Sequence, residues 1–178
     1  MSSMFSDCSS LTSINISSFD TSNVEVMERM FNGCKSLKEL DITHFNTEKV
    51  GNMTNMFGYC ESLERLNFSK FNTENIYSMD RMFYNSASLT SIDLSYFNTQ
   101  NITNMTEVFV NCANLSYIDI SSFNNNTEYD NLFSGVAENG TIIVKNEDVE
   151  KKLDIPENWT VIYKDQFYME LTNNILLQ

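Results

Sequence analysis

Residues 24–47 read VEVMERMFNGCKSLKELDITHFNT, and two different apolar spacings meet inside them. Val24, Met27, Met30, Phe31 and Cys34 fall at i, i+3, i+6/i+7 and i+10, a spacing that predicts one face of a helix. Leu40 and Ile42 are two apart, the period of a short strand. Phe45-Asn46-Thr47 follows, and Asn and Thr suit a turn because their side chains bond nearby backbone amides. The stretch predicts helix, strand, turn.

The same stretch recurs. Phe5, Phe31, Phe57, Phe83 and Phe109 are 26 residues apart, as are Phe19, Phe45, Phe71, Phe97 and Phe123. Met1, Met27, Met53, Met79 and Met105 form a third column. Met4, Met30, Met56 and Met82, continued by Val108, form a fourth, and Leu11, Leu37, Leu63, Leu89 and Leu115 a fifth. The strand pair recurs as Leu66/Phe68, Ile92/Leu94 and Ile118/Ile120. A unit of this size cannot bury its own apolar residues, so the units are predicted to stack in register. Strands would then lie ~4.8 Å apart in a parallel sheet, with helices outside. The expected fold class is α/β, a solenoid of about five 26-residue helix-strand turns. Apolar columns then make one continuous core; a Met-rich site for a soft metal is the competing reading, but nothing gathers the thioethers around a point.

The last unit is irregular. Phe123 to Phe133 spans ten residues where earlier copies use twelve, and Glu128 stands where Val or Ile opens the other units. Thr141–Val144 and Trp159–Tyr163 read as strands, and Asn146 as the N-cap of a helix over Glu147–Leu153. This divides the chain into a repeat array over 1–133, a C-terminal cap over 134–163 and a tail over 164–178. Phe167, Tyr168, Leu171, Ile175 and Leu176 give the tail a roughly helical spacing.

The run from Met27 to Thr47, Met-x-x-Met-Phe-x-x-Cys-x-Ser-Leu-x-x-Leu-Asp-Ile-x-x-Phe-Asn-Thr, resembles the repeat of BspA-like leucine-rich-repeat surface proteins. It is similar to the branch found in mycoplasma lipoproteins. Gly140–Val144, a charged helix and Trp159–Tyr163 likewise resemble the module that closes such arrays. The resemblance implies a module displayed at the cell surface or outside the cell, associated with adhesion or host binding, with no catalytic residues and no cofactor. Met1 already occupies a Met column, so the chain is expected to be a piece of a longer polypeptide.

The composition excludes several classes. The chain has 178 residues and a formal net charge of −13. An acidic chain without a basic stripe does not hold phosphate backbones, so no nucleic-acid partner is expected. No apolar run approaches the ~18 residues of a membrane span. His44 is the single histidine and no Ser or Cys stands in a motif that would pair with it; the five Gly form no phosphate loop. The chain is therefore read as not an enzyme.

Cys8, Cys34, Cys60 and Cys112 share a column with Ser86. No Cys-x2-Cys pair suggests zinc, which leaves a buried ladder of reduced thiols or disulfides between adjacent turns. Asp20, Asn46, Asn72, Asn98 and Asn124 follow the turn Phe, and Asn15, Asp41, Asn67, Asp93 and Asp119 lie between the inward strand residues. Both columns read as local backbone bonding rather than sugar or calcium ligands; Asp41 and Asp93, two turns apart at strand spacing, are roughly 10 Å from sharing an ion. Asn-x-Ser/Thr sequons such as Asn52, Asn67, Asn101 and Asn114 read as Asn-rich composition rather than glycosylation.

Two exposed columns vary while the core columns stay constant. One is Ser13, Glu39, Arg65, Ser91 and Tyr117; the other is Ser18, His44, Lys70, Tyr96 and Ser122. Glu39, His44, Arg65, Lys70, Tyr96 and Tyr117 are the candidate contacts for a protein partner, such as a host surface or matrix protein, since repeat arrays bind on extended faces and Tyr and Arg are favoured anchors. Drift at solvent positions is the alternative for these columns, and a structural spacer the alternative for the chain; an enzyme accessory region is a further one.

Overall fold

A computed structural model describes residues 1–165. The strongest regularity is a backbone hydrogen-bond pattern that joins each unit to the next. In the turn segment of the second unit, the amides of Met27, Arg29, Phe31 and Gly33 donate to the carbonyls of Asn52, Thr54, Met56 and Gly58 at 2.8–3.0 Å. The intervening amides turn back within the unit: Met30 donates to Met27, Asn32 to Arg29 and Cys34 to Phe31. Phe57 and Tyr59 repeat the first pattern to Met82 and Tyr84, and Phe83 and Asn85 to Val108 and Val110.

This overturns the expected helices. Val24–Cys34 and its copies form no helix; the first α-helix along the chain is α1, Glu147–Glu150. The cause is a repeated left-handed backbone. Arg29, Asn55, Arg81 and Glu107 have φ of 53–55°, and Asp7, Gly33, Tyr59, Asn85 and Asn111 have φ of 57–73°. Two left-handed residues per unit, each costing a non-glycine residue about 1–2 kcal/mol, break the i→i−4 ladder and aim alternate amides at the next unit. The apolar i, i+3 spacing belongs to turns closed every three residues, which a helix period mimics.

The strands are short and parallel. β1 (Ser91–Asp93) and β2 (Asn104–Thr106) are followed by β3 (Tyr117–Asp119) and β4 (Glu128–Asp130). β5 (Gly140–Val144), α1 and β6 (Trp159–Tyr163) complete the order. One sheet runs β1-β3-β5-β6, with Ile92, Ile118, Ile142 and Val161 in register, and β2 pairs with β4. Leu40–Ile42 and Leu66–Phe68 are not strands, contrary to expectation. The bonds joining these segments lengthen toward the N-terminal units. Thr141 N donates to Ser116 O at 2.8 Å and Ser116 N to Thr90 O at 3.1 Å, whereas Glu64 N reaches Lys38 O at 3.4 Å and Lys38 N reaches Thr12 O at 3.5 Å.

The core is the set of columns. Met27, Met30, Phe31, Cys34, Leu37 and Ile42 are fully buried, as are their copies in the third unit except Phe68, at 1% exposure. Phe31, Phe57, Phe83, Phe109 and Phe133 stack ring on ring at 5.8–5.9 Å, nearly parallel. Trp159 closes this ladder 6.5 Å from Phe133, its indole N–H donating to Ala137 O at 2.9 Å. The first unit is less covered: Phe5, Leu11, Ile14 and Phe19 are half-buried and Met4 is 48% exposed.

The shortened unit sits elsewhere than its sequence suggested. Glu128 pairs with Asn104 in β2–β4 instead of entering the Val/Ile column, so the two missing residues lie before it. Thr127 is buried there and its hydroxyl donates to Ile102 O at 2.8 Å. Asn146 does cap α1, accepting the Val149 amide at 3.2 Å, but the helix ends at Glu150 rather than Leu153. The helical spacing at Phe167, Tyr168, Leu171, Ile175 and Leu176 lies outside the described residues. No helix among the described residues is long and apolar enough to cross a membrane.

Candidate functional site

The polar columns are committed to the backbone. Asn15, Asp41, Asn67, Asp93 and Asp119 each accept the amide two residues ahead, at 2.9–3.0 Å. Asp20, Asn46, Asn72, Asn98 and Asn124 do the same at 2.7–3.0 Å. These bonds hold Asp20 and Asp41 below the usual carboxylate range, the Ser22 and Thr43 groups being the main cause. Among the described residues no group of three or more His, Cys, Asp or Glu side chains is gathered for a metal ion. Several sequon asparagines are also engaged: Asn114 Nδ2 donates to Ala87 O at 2.9 Å, and Asn101 Nδ2 donates to Glu74 O.

The thiol column is a ladder between units. Cys34, Cys60 and Cys112 donate to Phe5, Phe31 and Phe83 carbonyls at 3.1, 3.2 and 3.0 Å. Ser86 takes the same place toward Phe57 at 2.7 Å. All four cysteines are free, but Cys8 is exposed, a correction to the expectation that the whole column is buried. Burial pushes the Cys34 thiol up to about 11 and the Cys112 thiol up to about 12, and raises Cys60 as well.

Of the candidate partner contacts, Glu39 and Arg65 come together. With Ser13 they line two adjoining grooves of about 550 and 580 Å³, where the bonds between strand segments are longest. Asp41 and Thr43 add acceptors to the first groove, while Lys38 and Glu64 flank the second. The other four candidates do not line these grooves. His44 is held by its own unit's neighbour, its Nε2 2.8 Å from Ile16 O and its ring edge-on to Phe45. Ser122, one column mate, makes the matching bond to Leu94 O at 3.0 Å. Lys70 and Tyr96 are exposed, Tyr96 at 64%. Tyr117 lies on β3 beside Ser91 and Thr141, its hydroxyl pKa raised by partial burial and then by the Asp119 and Asp93 carboxylates.

Two features escaped the reading of the sequence. Thr21, Thr47, Thr73 and Thr99, which that reading placed only in turns, are buried and clasp neighbouring units. Thr21 Oγ1 donates to Asn46 O at 3.0 Å, Thr47 Oγ1 to Asn72 O at 2.8 Å, and Thr99 Oγ1 accepts the Asn124 amide at 3.2 Å. The second is a cleft of about 280 Å³ on the turn segments, lined by Arg29, Asn32, Asn55, Tyr59, Arg81 and Tyr84. The signal available for it was a tyrosine, Tyr59, in a column otherwise held by Asp7, Gly33, Asn85, Asn111 and Gly135.

With the 26-residue columns and their inter-unit bonds established, the family assignment follows. Residues 1–123, and again 38–146, match the family described as "Mycoplasma protein of unknown function, DUF285". The chain belongs to this family. The two overlapping matches are offset by 37 residues and together span the repeat units and the whole of β5. No curated protein and no solved structure matches the chain. Membership in the family assigns no chemistry, so any role for this member must come from its own surface.

Proposed function

We propose that this chain is a non-catalytic leucine-rich-repeat module of BspA-like type, displayed at the cell surface or outside the cell, that recognises a protein through its strand face. The single observation that carries the reading is the convergence of Ser13, Glu39 and Arg65, three chemically different residues from one column, on adjoining grooves. On one side lies the apolar column of Ile14, Leu40 and Leu66, and beyond it Asp41 and Asn67 are bonded to their own backbone; on the other side Thr12, Lys38 and Glu64 are exposed. Among the described residues neither Glu39 nor Arg65 forms an ion pair, so both charges are available to a partner. A solenoid reading is supported by the unit-to-unit backbone bonds and the stacked phenylalanines. Tyr96 and Tyr117, both exposed, extend the same variable columns toward the C-terminal units.

The test is a binding screen of the chain against purified host surface and matrix proteins, followed by the triple variant Arg65→Ala, Tyr96→Ala, Tyr117→Ala. The expected result is a partner whose affinity falls about tenfold or more in the variant while the melting curve is retained. A partner bound equally by both chains removes the strand face as its site. Failure of every protein to bind leaves the chain as a spacer that positions another domain.

A further inference from the structure

The cleft on the turn segments is assembled from three successive units and is separate from the strand-face grooves. Its floor depends on one missing side chain. Ser6, Asn32, Gly58, Tyr84 and Val110 share a column, and Gly58 does not have the positive φ that favours glycine. A Cβ at Gly58 would lie 2.8 Å from Asn32 Nδ2 and 2.9 Å from Asn55 Oδ1. The glycine therefore serves space, letting both carboxamides lie against its Cα at the cleft.

Three groups there have chemistry that the fold does not use. Asn32 is 5% exposed; its Oδ1 is 3.5 Å from Arg29 Nη2, while its Nδ2 has no hydrogen-bond acceptor among the described residues. Arg29 has no carboxylate partner among the described residues, unlike Arg81, which is paired with Glu107 at 2.6 Å and lies over the Tyr84 ring at 5.8 Å. Tyr59 is 40% exposed and leans on Tyr84 at 5.5 Å between ring centroids. It is also a bulky residue at φ 58°, where a left-handed backbone favours Gly, Asn or Asp. Thus a guanidinium with no carboxylate partner, a carboxamide N–H and an exposed aromatic ring converge in a chain of net charge −13.

We propose that this cleft binds the terminal acidic sugar of a glycan, with its carboxylate on Arg29, a hydroxyl oxygen on Asn32 Nδ2 and the C–H face of its ring on Tyr59. A guanidinium matches a carboxylate in plane and in charge. An exposed aromatic face supplies apolar contact to a pyranose without demanding a hydrogen bond. The volume of about 280 Å³ is small for a ligand pocket, which suits a single terminal ring rather than a chain. An acidic peptide would use Arg29 but leave the Tyr59 face and the Asn32 amide without matched groups.

The test is an NMR titration of the chain with a glucuronate-terminated trisaccharide, the same trisaccharide ending in glucose, and triglutamate. The glucuronate form is expected to shift the amides of Asn32, Gly58 and Tyr59, and to bind about tenfold or more tightly than the other two. Arg29→Asn and Tyr59→Asn suit the left-handed backbone and should each weaken it about tenfold. Gly58→Ala should weaken it too, by displacing the Asn32 and Asn55 carboxamides. Arg65→Ala should leave it unchanged, keeping this site distinct from the strand face. No amide shifts at millimolar glucuronate, equal binding of the glucose form or of triglutamate, or unchanged affinity in the Arg29 and Tyr59 variants would overturn the proposal. So would loss of saccharide binding in Arg65→Ala.

Discussion

The Ser86 hydroxyl donates a 2.7 Å hydrogen bond to the carbonyl of Phe57, in the place where the Cys60 thiol donates to Phe31. The column thus tolerates Ser or Cys for one reason: each carries a small donor that reaches a buried carbonyl of the preceding unit. Ser86→Ala removes a buried hydrogen bond and leaves that carbonyl only the Cys60 amide at 3.3 Å, so it should cost about 0.5–1.5 kcal/mol. Ser86→Cys restores the column and should cost less than Ser86→Ala. Urea unfolding of the three chains checks the order.

Phe57 is sandwiched between Phe31 and Phe83 at 5.8 and 5.9 Å. Phe57→Ala opens a cavity in the middle of the ladder and should destabilise by about 3–5 kcal/mol. Phe5 stacks on Phe31 but is only half-buried, so Phe5→Ala should cost distinctly less. Equal losses in thermal unfolding would contradict a core in which each unit contacts only its neighbours.

Under native conditions only Cys8 is expected to react with a thiol reagent at neutral pH, and all four cysteines after denaturation. The buried thiols also predict a pH dependence. Their folded pKa values lie above the ordinary value of 9.0, with Cys34 near 11 and Cys112 near 12. The unfolded chain therefore gives up protons that the folded chain retains, and stability falls as pH rises. Their contribution is complete below pH 9 and is lost between pH 9 and about 12. Melting temperatures measured from pH 7 to 11 should decline above pH 9, and a triple Cys34→Ser, Cys60→Ser, Cys112→Ser chain should decline less.

The left-handed column makes a paired prediction. Tyr59→Asn should leave stability unchanged or raise it by up to about 1 kcal/mol, because Asn visits this backbone region more readily than Tyr. Gly33→Ala should destabilise by more than about 1 kcal/mol. It places a Cβ at φ 73°, 2.5 Å from Asp7 Oδ1 and 3.2 Å from the Asp7 Cα. Calorimetry on the two variants reads both signs.

What the sequence determined by itself was the repeat and its inside. The columns of Met, Phe, Leu and Ile were legible because identical residues every 26 positions demand identical burial, and the buried set follows them from Ile16 to Phe133. The Asx columns were legible for a local reason, since each bonds an amide two residues away. The conformation of the turn segment was not legible. Its i, i+3 spacing fits a helix and a run of three-residue turns equally well, and the choice rests on amides that bond the next unit. Such bonds arise only between units and leave no mark within one. The groove at Glu39 and Arg65 and the cleft at Arg29, Asn32 and Tyr59 are tertiary for the same reason. Stacking alone sets residues about 26 apart side by side, and it opens space where strand bonds lengthen or where Gly58 omits a side chain.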